Sequence, residues 1–176
     1  MIRVKVKTTG ADKAMEVLRG LAGDMEQTAS EIARRLADEG FDVAYEILAH
    51  HIYSGETLDS LEVIEESPGR YVLTATSGAI LFLEFGAGAR YGSGHPWAGQ
   101  FGMGPGTYPG QTHAFNPGGW WFETSDPNLA VFTAPNGKSY GHSYGNAPHM
   151  PFYQASARMR NKILEIAREV FERDRH

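Results

Sequence analysis

The stretch that most constrains this chain is residues 79–90, which read AILFLEFGAGAR. Within it, an apolar run from Ile80 to Phe85 leads directly into a Gly-X-Gly turn. The run is too short for a membrane span, and its length is typical of a buried strand. Gly86 and Gly88 supply backbone freedom, including positive φ, for a sharp exit. We therefore predict a central buried strand that ends at this turn.

Glu84 is the single charged residue within the apolar run, and it lies where the predicted strand should end. One interpretation makes its carboxylate a general base or a metal ligand. The other makes it an acceptor for backbone N–H groups of the following turn, which the glycines leave open. The second interpretation is favoured, because no His, Cys, Lys or second acid lies nearby in sequence.

The residues at the start of the chain predict one strand and two helices. Ile2 to Lys7 alternate apolar and charged side chains, as expected of a strand with one solvated face. A helix is expected from Ala11 to Leu21, and a longer one from Asp24 to about Tyr53 with an apolar stripe of period 3.6. Gly40 lies in the middle of this long helix and predicts a bend or break there.

Two further strands are predicted before the apolar run, at Leu61 to Glu66 and at Tyr71 to Thr76, joined by a Pro-Gly turn. Together with the run they form an antiparallel meander of three strands, to which Ile2 to Lys7 can add a fourth. A closing helix begins at about Pro151. The predicted fold class is therefore α+β: a meander of three to four strands packed on a long helix and a C-terminal helix.

The region from Tyr91 to Asn146 differs in composition from the rest of the chain. Of the 21 glycines, 14 lie between Gly86 and Gly145, and all three tryptophans fall there as well. Between Tyr91 and Ala147 the charged residues are only Glu123, Asp126 and Lys138. We predict a single domain spanning residues 1–176 with an aromatic and glycine-rich insertion at 91–146.

A loop of this length without structure would be improbable in a compact domain, so the insertion should contain strands of its own. Trp120 to Thr124 and Leu129 to Thr133 are expected to pair with each other. Asn136-Gly137 is a strong hairpin signal that leads to Ser139-Tyr140. The insertion is therefore predicted to be a small β-hairpin region.

Charge and composition exclude several classes of protein. The net charge of −5 argues against a nucleic-acid surface, which needs a clustered positive field. The absence of cysteine excludes disulfides and thiolate metal sites. The N-terminus has no apolar signal-peptide core, and no run reaches the length of a membrane span, so we expect a soluble, unsecreted protein.

The insertion carries two sets of side chains with possible chemistry. Four histidines in or just after the insertion can build a zinc or copper site, but none shows close ligand spacing such as H-x-x-x-H: His95, His113, His142 and His149. Its aromatic residues are suited either to a sugar-stacking platform or to packing a small hairpin that lacks its own core: Trp97, Tyr108, Phe115, Trp120, Trp121, Tyr140 and Tyr144. The packing interpretation is favoured.

Three motifs, in order, resemble segments of one family. Residues 54–61, SGETLDSL, resemble the D-T-G-x-L-r-x-S-I segment that follows the long helix in HK97-like phage tail-component proteins. Residues 83–88, LEFGAG, look like the v-E-F-G-T-G hallmark of that family, with Ala87 in place of threonine. Residues 147–153, APHMPFY, are similar to its closing x-P-x-r-P-F-l segment, with Met150 in place of the basic residue.

The resemblance implies a structural, non-enzymatic virion protein of the tail-completion, neck or head–tail joining type, encoded by a phage or prophage. Such a protein would act as a homo-oligomeric ring subunit between the head connector and the tail proteins. It would need no cofactor, no metal, no membrane and no sequence-specific nucleic acid. We would expect it in the host cytoplasm during assembly and then in the virion.

The expected contact residues follow from the motifs and from the aromatic insertion, and no catalytic residue is expected. They are Glu84, Phe85, Gly86, Gly88, Trp97, Trp120, Trp121, Tyr140, Tyr144, Pro151 and Phe152. The competing hypothesis is a carbohydrate- or cell-wall-binding module, or a metal-dependent enzyme, that uses the aromatic and histidine-rich insertion.

Overall fold

The computed structural model describes residues 3–7, 25–51, 55–91, 94–107 and 109–173. The chain divides into two compact units, a first unit of Met1–Ile80 with Met150–His176 and a second unit of Leu81–His149. The second unit contains the whole predicted insertion. The helix predicted at residues 11–21 and the side chain of Tyr108 lie outside the described residues.

The elements confirm the α+β class. The described helices are α1 (Met25–His51), α2 (Glu56–Asp59), α3 (Ile80–Phe85), α4 (Gly88–Tyr91) and α5 (Pro151–Arg173), with a 3-10 turn at Ala98–Phe101. The described strands are β1 (Arg3–Lys7), β2 (Glu62–Ser67), β3 (Arg70–Thr76), β4 (Trp120–Glu123), β5 (Phe132–Thr133) and β6 (Ser139–Ser143).

Helices α1 and α5 pack against each other through the apolar stripes that the sequence predicted. Ile32 and Leu36 of α1 form one buried cluster with Ile166 and Val170 of α5. Ion pairs flank this seam, where Arg173 meets Glu31, Arg35 meets Glu169 and Arg158 meets Glu39. As the residue number rises along α1 in these three ion pairs, the number of the partner residue falls along α5. The two helices therefore run antiparallel.

Gly40 does not break α1, which is continuous from Met25 to His51. A Cβ atom at this position would lie 2.9 Å from both Sδ and Cε of Met159 on α5. The glycine therefore permits a close approach of the two helices, and the prediction of a break there was wrong.

The first unit contains a three-stranded antiparallel sheet in the order β1-β3-β2. The turn at Pro68-Gly69 joins β2 to β3 as predicted, and β1 pairs with β3 so that Val4 faces Ala75. Four consecutive residues of the central strand, Val72 to Ala75, are buried. Beside them Tyr71 packs on Ala29 and Ala33, which seats the sheet on α1.

The apolar run at Ile80 to Phe85 is the helix α3, not the central strand that we predicted. Two physical reasons account for the difference. A short apolar run without alternation is compatible with either a buried helix or a buried strand. In addition, both sides of β3 are occupied, one by β2 and the other by β1, which takes the place expected for the run.

The second unit has its own antiparallel sheet in the order β4-β6-β5. The hairpin at Asn136-Gly137 is confirmed, since Ala134 N–H donates to the carbonyl of Lys138 where β5 turns into β6. The predicted pairing of residues 120–124 with 129–133 was wrong, because β6 lies between them. None of the helices in the described ranges is both long enough and apolar enough to cross a membrane.

Candidate functional site

The first motif lies in the first unit and is tied to the end of β3 by hydroxyl groups. Thr57 of α2 is buried, and its Oγ1 lies 2.8 Å from Oγ of Ser77. Ser60 Oγ accepts a hydrogen bond of 3.0 Å from the backbone N–H of Thr76. These small hydroxyl residues therefore hold the segment against the sheet.

The other two motifs meet in the second unit, although they are about sixty residues apart in sequence. The N–H of Ala87 donates to the carbonyl of Asn146 at 2.9 Å, and the N–H of His149 donates to the carbonyl of Leu83 at 2.8 Å. Asn146 Nδ2 donates in turn to the carbonyl of Phe82 at 2.8 Å. We call this crossing of residues 82–88 with residues 144–149 the backbone joint.

Gly86 and Gly88 make the backbone joint possible, and their predicted positive φ is confirmed at 79° and 81°. A Cβ on Gly86 would lie 2.8 Å from Cδ of Pro148, and one on Gly88 would lie 2.5 Å from the carbonyl oxygen of Tyr144. Real Cβ atoms do not approach backbone so closely. Both glycines are buried in the joint, and a larger residue at either position would prevent the two segments from approaching so closely.

Glu84 is buried, with 3% of its surface exposed, and its partner is His95. The distance from Glu84 Oε1 to His95 Nε2 is 2.9 Å. Two of the turn N–H groups that we predicted as donors bind carbonyl groups: Gly86 donates to Phe82 and Ala87 donates to Asn146. No local pattern predicted this pairing, because His95 lies eleven residues away from Glu84 in sequence.

The hydrogen bonds of His95 define its tautomer. The backbone N–H of Trp97 donates to Nδ1 at 3.1 Å, so Nδ1 must present a lone pair. Nε2 therefore carries the proton and donates to Glu84. Both ring nitrogens of His95 therefore have a hydrogen-bond partner, Nε2 in Glu84 and Nδ1 in Trp97. We call the hydrogen bond between Glu84 and His95 the clamp, because it joins α3 to segment 95–97.

Aromatic rings surround the clamp. The ring of Phe85 lies 4.6 Å from that of His95, and the ring of Phe101 lies 6.3 Å from Phe85 and 6.4 Å from Trp97. Phe85 and His95 are buried, whereas Trp97 is half-buried and Phe101 is exposed. We call Phe85, His95, Trp97 and Phe101 the loop cluster. It contains two predicted site residues, Phe85 and Trp97, and a third, Glu84, is hydrogen-bonded to its histidine.

A second aromatic group covers one face of the β4-β6-β5 sheet. Its rings make a chain of contacts with centroid distances from 4.5 to 5.4 Å, and we call it the aromatic ladder: Tyr140, Phe132, Trp121, His142 and Tyr144. The pairings Trp121–His142 and Phe132–Tyr140 place these side chains on the same face. At the end of the ladder, the guanidinium of Arg90 lies 3.7 Å from the centre of the Tyr144 ring.

The aromatic ladder is largely open to solvent. The exposed fraction is 54% for Trp121, 47% for Phe132 and 40% for Tyr144. An ion pair lies at its edge, where Lys138 Nζ donates to Glu123 at 2.7 Å. This hydrogen bond to the carboxylate raises the pKa of Lys138.

Trp120, predicted as a contact residue together with Trp121, lies on the opposite face of the sheet. Successive residues of a strand point to opposite sides, so the two tryptophans have separate roles. Trp120 stacks on His113 with a centroid distance of 5.2 Å and an angle of 17° between the rings. It is half-buried, and it therefore belongs to the packing behind the ladder.

Pro151 and Phe152 lie in the first unit, at the start of α5, and both are buried. Their place is in the interior of the folded chain and not on its surface. Among the described residues, no three His, Asp or Glu side chains lie close enough together to hold one metal ion. Comparison of the chain with protein-family models, with curated proteins and with solved structures finds no match.

Proposed function

We propose that this chain is a structural phage protein of the head–tail junction that works through protein–protein contacts, with the aromatic ladder as a principal contact surface. The observation that carries the proposal is the exposure of Trp121, Phe132 and Tyr144 on one continuous face. Rigid aromatic side chains are enriched at the centres of interfaces, where they contribute much of the binding free energy. A monomer rarely leaves such a patch uncovered without a partner for it.

The placement of charge supports the same proposal. The second unit carries few charged residues, and the ion pair between Lys138 and Glu123 lies beside the ladder. An apolar centre with a polar edge is the arrangement of a typical protein interface. The resemblance of three motifs to HK97-like tail-component proteins gives the proposal its particular class, a subunit of a ring between head connector and tail.

The carbohydrate-binding alternative rests on the same exposed rings. Sugar stacking needs open and roughly parallel ring faces. In the ladder, Trp121 meets Phe132 at 74° and His142 at 66°, and His142 meets Tyr144 at 71°, whereas Phe132 and Tyr140 are nearly parallel at 20°. These edge-to-face contacts give an uneven surface, which favours a shaped protein partner over a flat sugar ring.

The proposal is tested by imaging assembly. The full chain is expressed alone and together with the products of its neighbouring genes, and the products are examined by size-exclusion chromatography and negative-stain microscopy. We expect ring-shaped complexes with the wild-type chain and their loss when Trp121 and Phe132 are both changed to alanine. Leu164→Ala is the matched control, because Leu164 is an apolar side chain of the first unit with 79% exposure.

Two results would contradict the proposal. One is a chain that stays monomeric in every mixture. The other is saturable binding of bacterial cell-wall polysaccharide that the alanine variants of Trp121 and Phe132 abolish, because this would assign the ladder to sugar recognition.

A further inference from the structure

The second unit has a cavity of about 230 Å³ next to the backbone joint. Residues from α3, from the joint, from segment 110–114 and from the sheet line it, among them Phe82, Gly88, Gln111, His113, Trp120 and Asn146. A cavity of roughly 150 Å³ admits benzene, and pockets for drug-sized ligands begin at about 300 Å³. The cavity therefore suits one small molecule or one protein side chain.

One wall of the cavity is aromatic. Trp120 and His113 stack almost in parallel, with 17° between their planes, and both line the cavity. Phe82 supplies a further aromatic ring to the lining. Walls of this kind favour a planar ligand, because a flat group gains the most contact with them.

Gln111 is the feature of the cavity that packing does not explain. Both atoms of its side-chain amide, Nε2 and Oε1, are sealed from solvent, and neither has a hydrogen-bond partner among the residues that the structure describes. Buried polar groups are nearly always paired. An amide presents donors and an acceptor side by side, so the group that would satisfy it must offer an acceptor and a donor in the same arrangement.

We propose that the cavity binds a planar carboxamide, with Gln111 as its specificity-determining residue. The ligand carbonyl would accept a hydrogen bond from Nε2 of Gln111, and a ligand N–H would donate to Oε1. The amide is sealed in the free protein, so binding requires the Gln111 side chain to rotate towards the cavity. This movement requires a change of the χ1 or χ2 rotamer between staggered wells, because rotation about the terminal torsion only turns the amide about its own axis. The inference does not rest on the aromatic ladder or on the phage assignment.

A carboxamide can come from a free small molecule or from an asparagine or glutamine side chain of another protein. Benzamide represents the first source and N-acetylglutamine methyl ester the second. Each has a control that lacks the primary carboxamide, benzoate for benzamide and N-acetylmethionine methyl ester for the glutamine probe. Titrations are followed in ¹H–¹⁵N spectra of the full chain, through the side-chain NH₂ of Gln111 and the indole N–H of Trp120.

We expect saturable shifts of both signals with at least one carboxamide probe, and binding at least tenfold weaker for its control. The probe that binds identifies the source. Gln111→Met keeps the side-chain length and removes both hydrogen-bonding atoms, so it should weaken binding at least tenfold. It should also raise the melting temperature, because a buried unpaired amide is removed. Gln100→Met, at an exposed glutamine, is the matched control and should change neither quantity.

Two outcomes would overturn the inference. The first is the absence of saturable shifts at Gln111 and Trp120 with both carboxamide probes in the folded wild-type chain. The second is Gln111→Met binding the active probe as tightly as wild type. The melting temperature separates these outcomes from misfolding, because a variant that melts at or above the wild-type temperature is folded.

Discussion

The first unit is held together by aliphatic side chains, whereas the second is held by crossing backbone and aromatic rings. In the first, Ile32 and Leu36 of α1 meet Ile166 and Val170 of α5, and the sheet lies on the same long helix. In the second, the backbone joint is closed by main-chain hydrogen bonds, and aromatic rings fill the space on both faces of a small sheet. The first unit should therefore tolerate backbone changes better, and the second should tolerate changes of side-chain size better.

The largest effect is expected at Phe152, which is 2% exposed at the start of α5. Phe152→Ala should lower the free energy of unfolding by about 3–5 kcal/mol, because it removes a large buried ring and leaves a cavity. Chemical denaturation measures this. Leu164→Ala, at an exposed apolar position of the same helix, should stay within about 0.5 kcal/mol of wild type. If Phe152→Ala lowers the free energy of unfolding by less than about 1 kcal/mol and also abolishes assembly, Phe152 is a contact residue and not a core residue.

The corresponding change in the second unit is Gly88→Ala. The new Cβ would lie 2.5 Å from the carbonyl oxygen of Tyr144 at a φ of 81°. Left-handed backbone and overpacking together should lower the free energy of unfolding by roughly 2–5 kcal/mol. Hydrogen exchange should show the loss of protection in the second unit, while α1 and α5 stay protected.

Gly99→Ala is the control for that experiment, since a Cβ at Gly99 meets nothing within 4 Å. It should leave hydrogen exchange nearly unchanged. If Gly88→Ala lowers protection equally in both units, the two units unfold together. The difference in how they are packed would then not be a difference in their stability.

This contrast also explains which parts of the fold were predictable from the sequence. Helices α1 and α5 and the β2–β3 hairpin have long periodic stripes or a clear turn signal, and their positions were predicted to within a few residues. Residues 80–85 are apolar except for Glu84, and such a short run carries no period that separates a helix from the strand that we predicted. Strand β1 pairs with the edge of β3 that we predicted for residues 80–85. This pairing joins parts of the chain that are far apart in sequence, so local sequence patterns do not predict it.

The candidate site was predictable only in part, for a similar reason. The positive φ of Gly86 and Gly88 follows from local chemistry and was predicted. The partner of Glu84 was not, because His95 lies eleven residues away and no local pattern pairs the two side chains. The opposite placement of Trp120 and Trp121 follows from strand alternation once β4 is known, although both had been grouped by composition alone.

The next prediction concerns the clamp between Glu84 and His95. Glu84→Gln removes the charge from a buried hydrogen bond and should lower the free energy of unfolding by about 1–3 kcal/mol. His95→Asn keeps an acceptor for the N–H of Trp97 but removes the donor to Glu84, so it should be the more harmful change. Thermal melts rank the two variants.

Glu123→Gln is the matched control, because Glu123 accepts a hydrogen bond from Lys138 at an exposed position of the same unit. Exposed ion pairs contribute at most about 1 kcal/mol, so this variant should melt close to wild type. If Glu84→Gln melts no lower than Glu123→Gln, the clamp has no structural role. Metal-dependent stabilisation that Glu84→Gln removes would instead make Glu84 a ligand.

A smaller effect is expected where the first unit itself relies on close backbone approach. Gly40→Ala gains about 1 kcal/mol of helix propensity, but its Cβ would lie 2.9 Å from Met159, and overpacking costs about 1–3 kcal/mol. We expect a net loss of about 1 kcal/mol. In the Met159→Ala background the same change should be stabilising, and a double-mutant cycle measures the coupling. If the effects of Gly40→Ala and Met159→Ala on the free energy of unfolding are additive, the contact between these two positions does not cause the loss of stability in Gly40→Ala.

The smallest effects are those of two exposed ion pairs, one in each unit, and they differ in the direction of their pH dependence. In α5, a hydrogen bond from Lys162 lowers the pKa of Glu165. This contribution is present above the unfolded pKa of the carboxyl group and is lost as pH falls through the lowered pKa. Beside the aromatic ladder, the raised pKa of Lys138 has the opposite sign, so its contribution is lost as pH rises through that pKa.

These pKa values can be measured by NMR titration of the carboxyl carbon of Glu165 and of the ammonium of Lys138. Glu165 should titrate at higher pH in the Lys162→Met variant than in wild type, and Lys138 should titrate at lower pH in the Glu123→Gln variant. Both shifts should shrink in high salt, because exposed charges are screened. Unchanged titration in either variant would show that the pair is not formed in solution, and only side-chain burial and the backbone joint would then distinguish the two units.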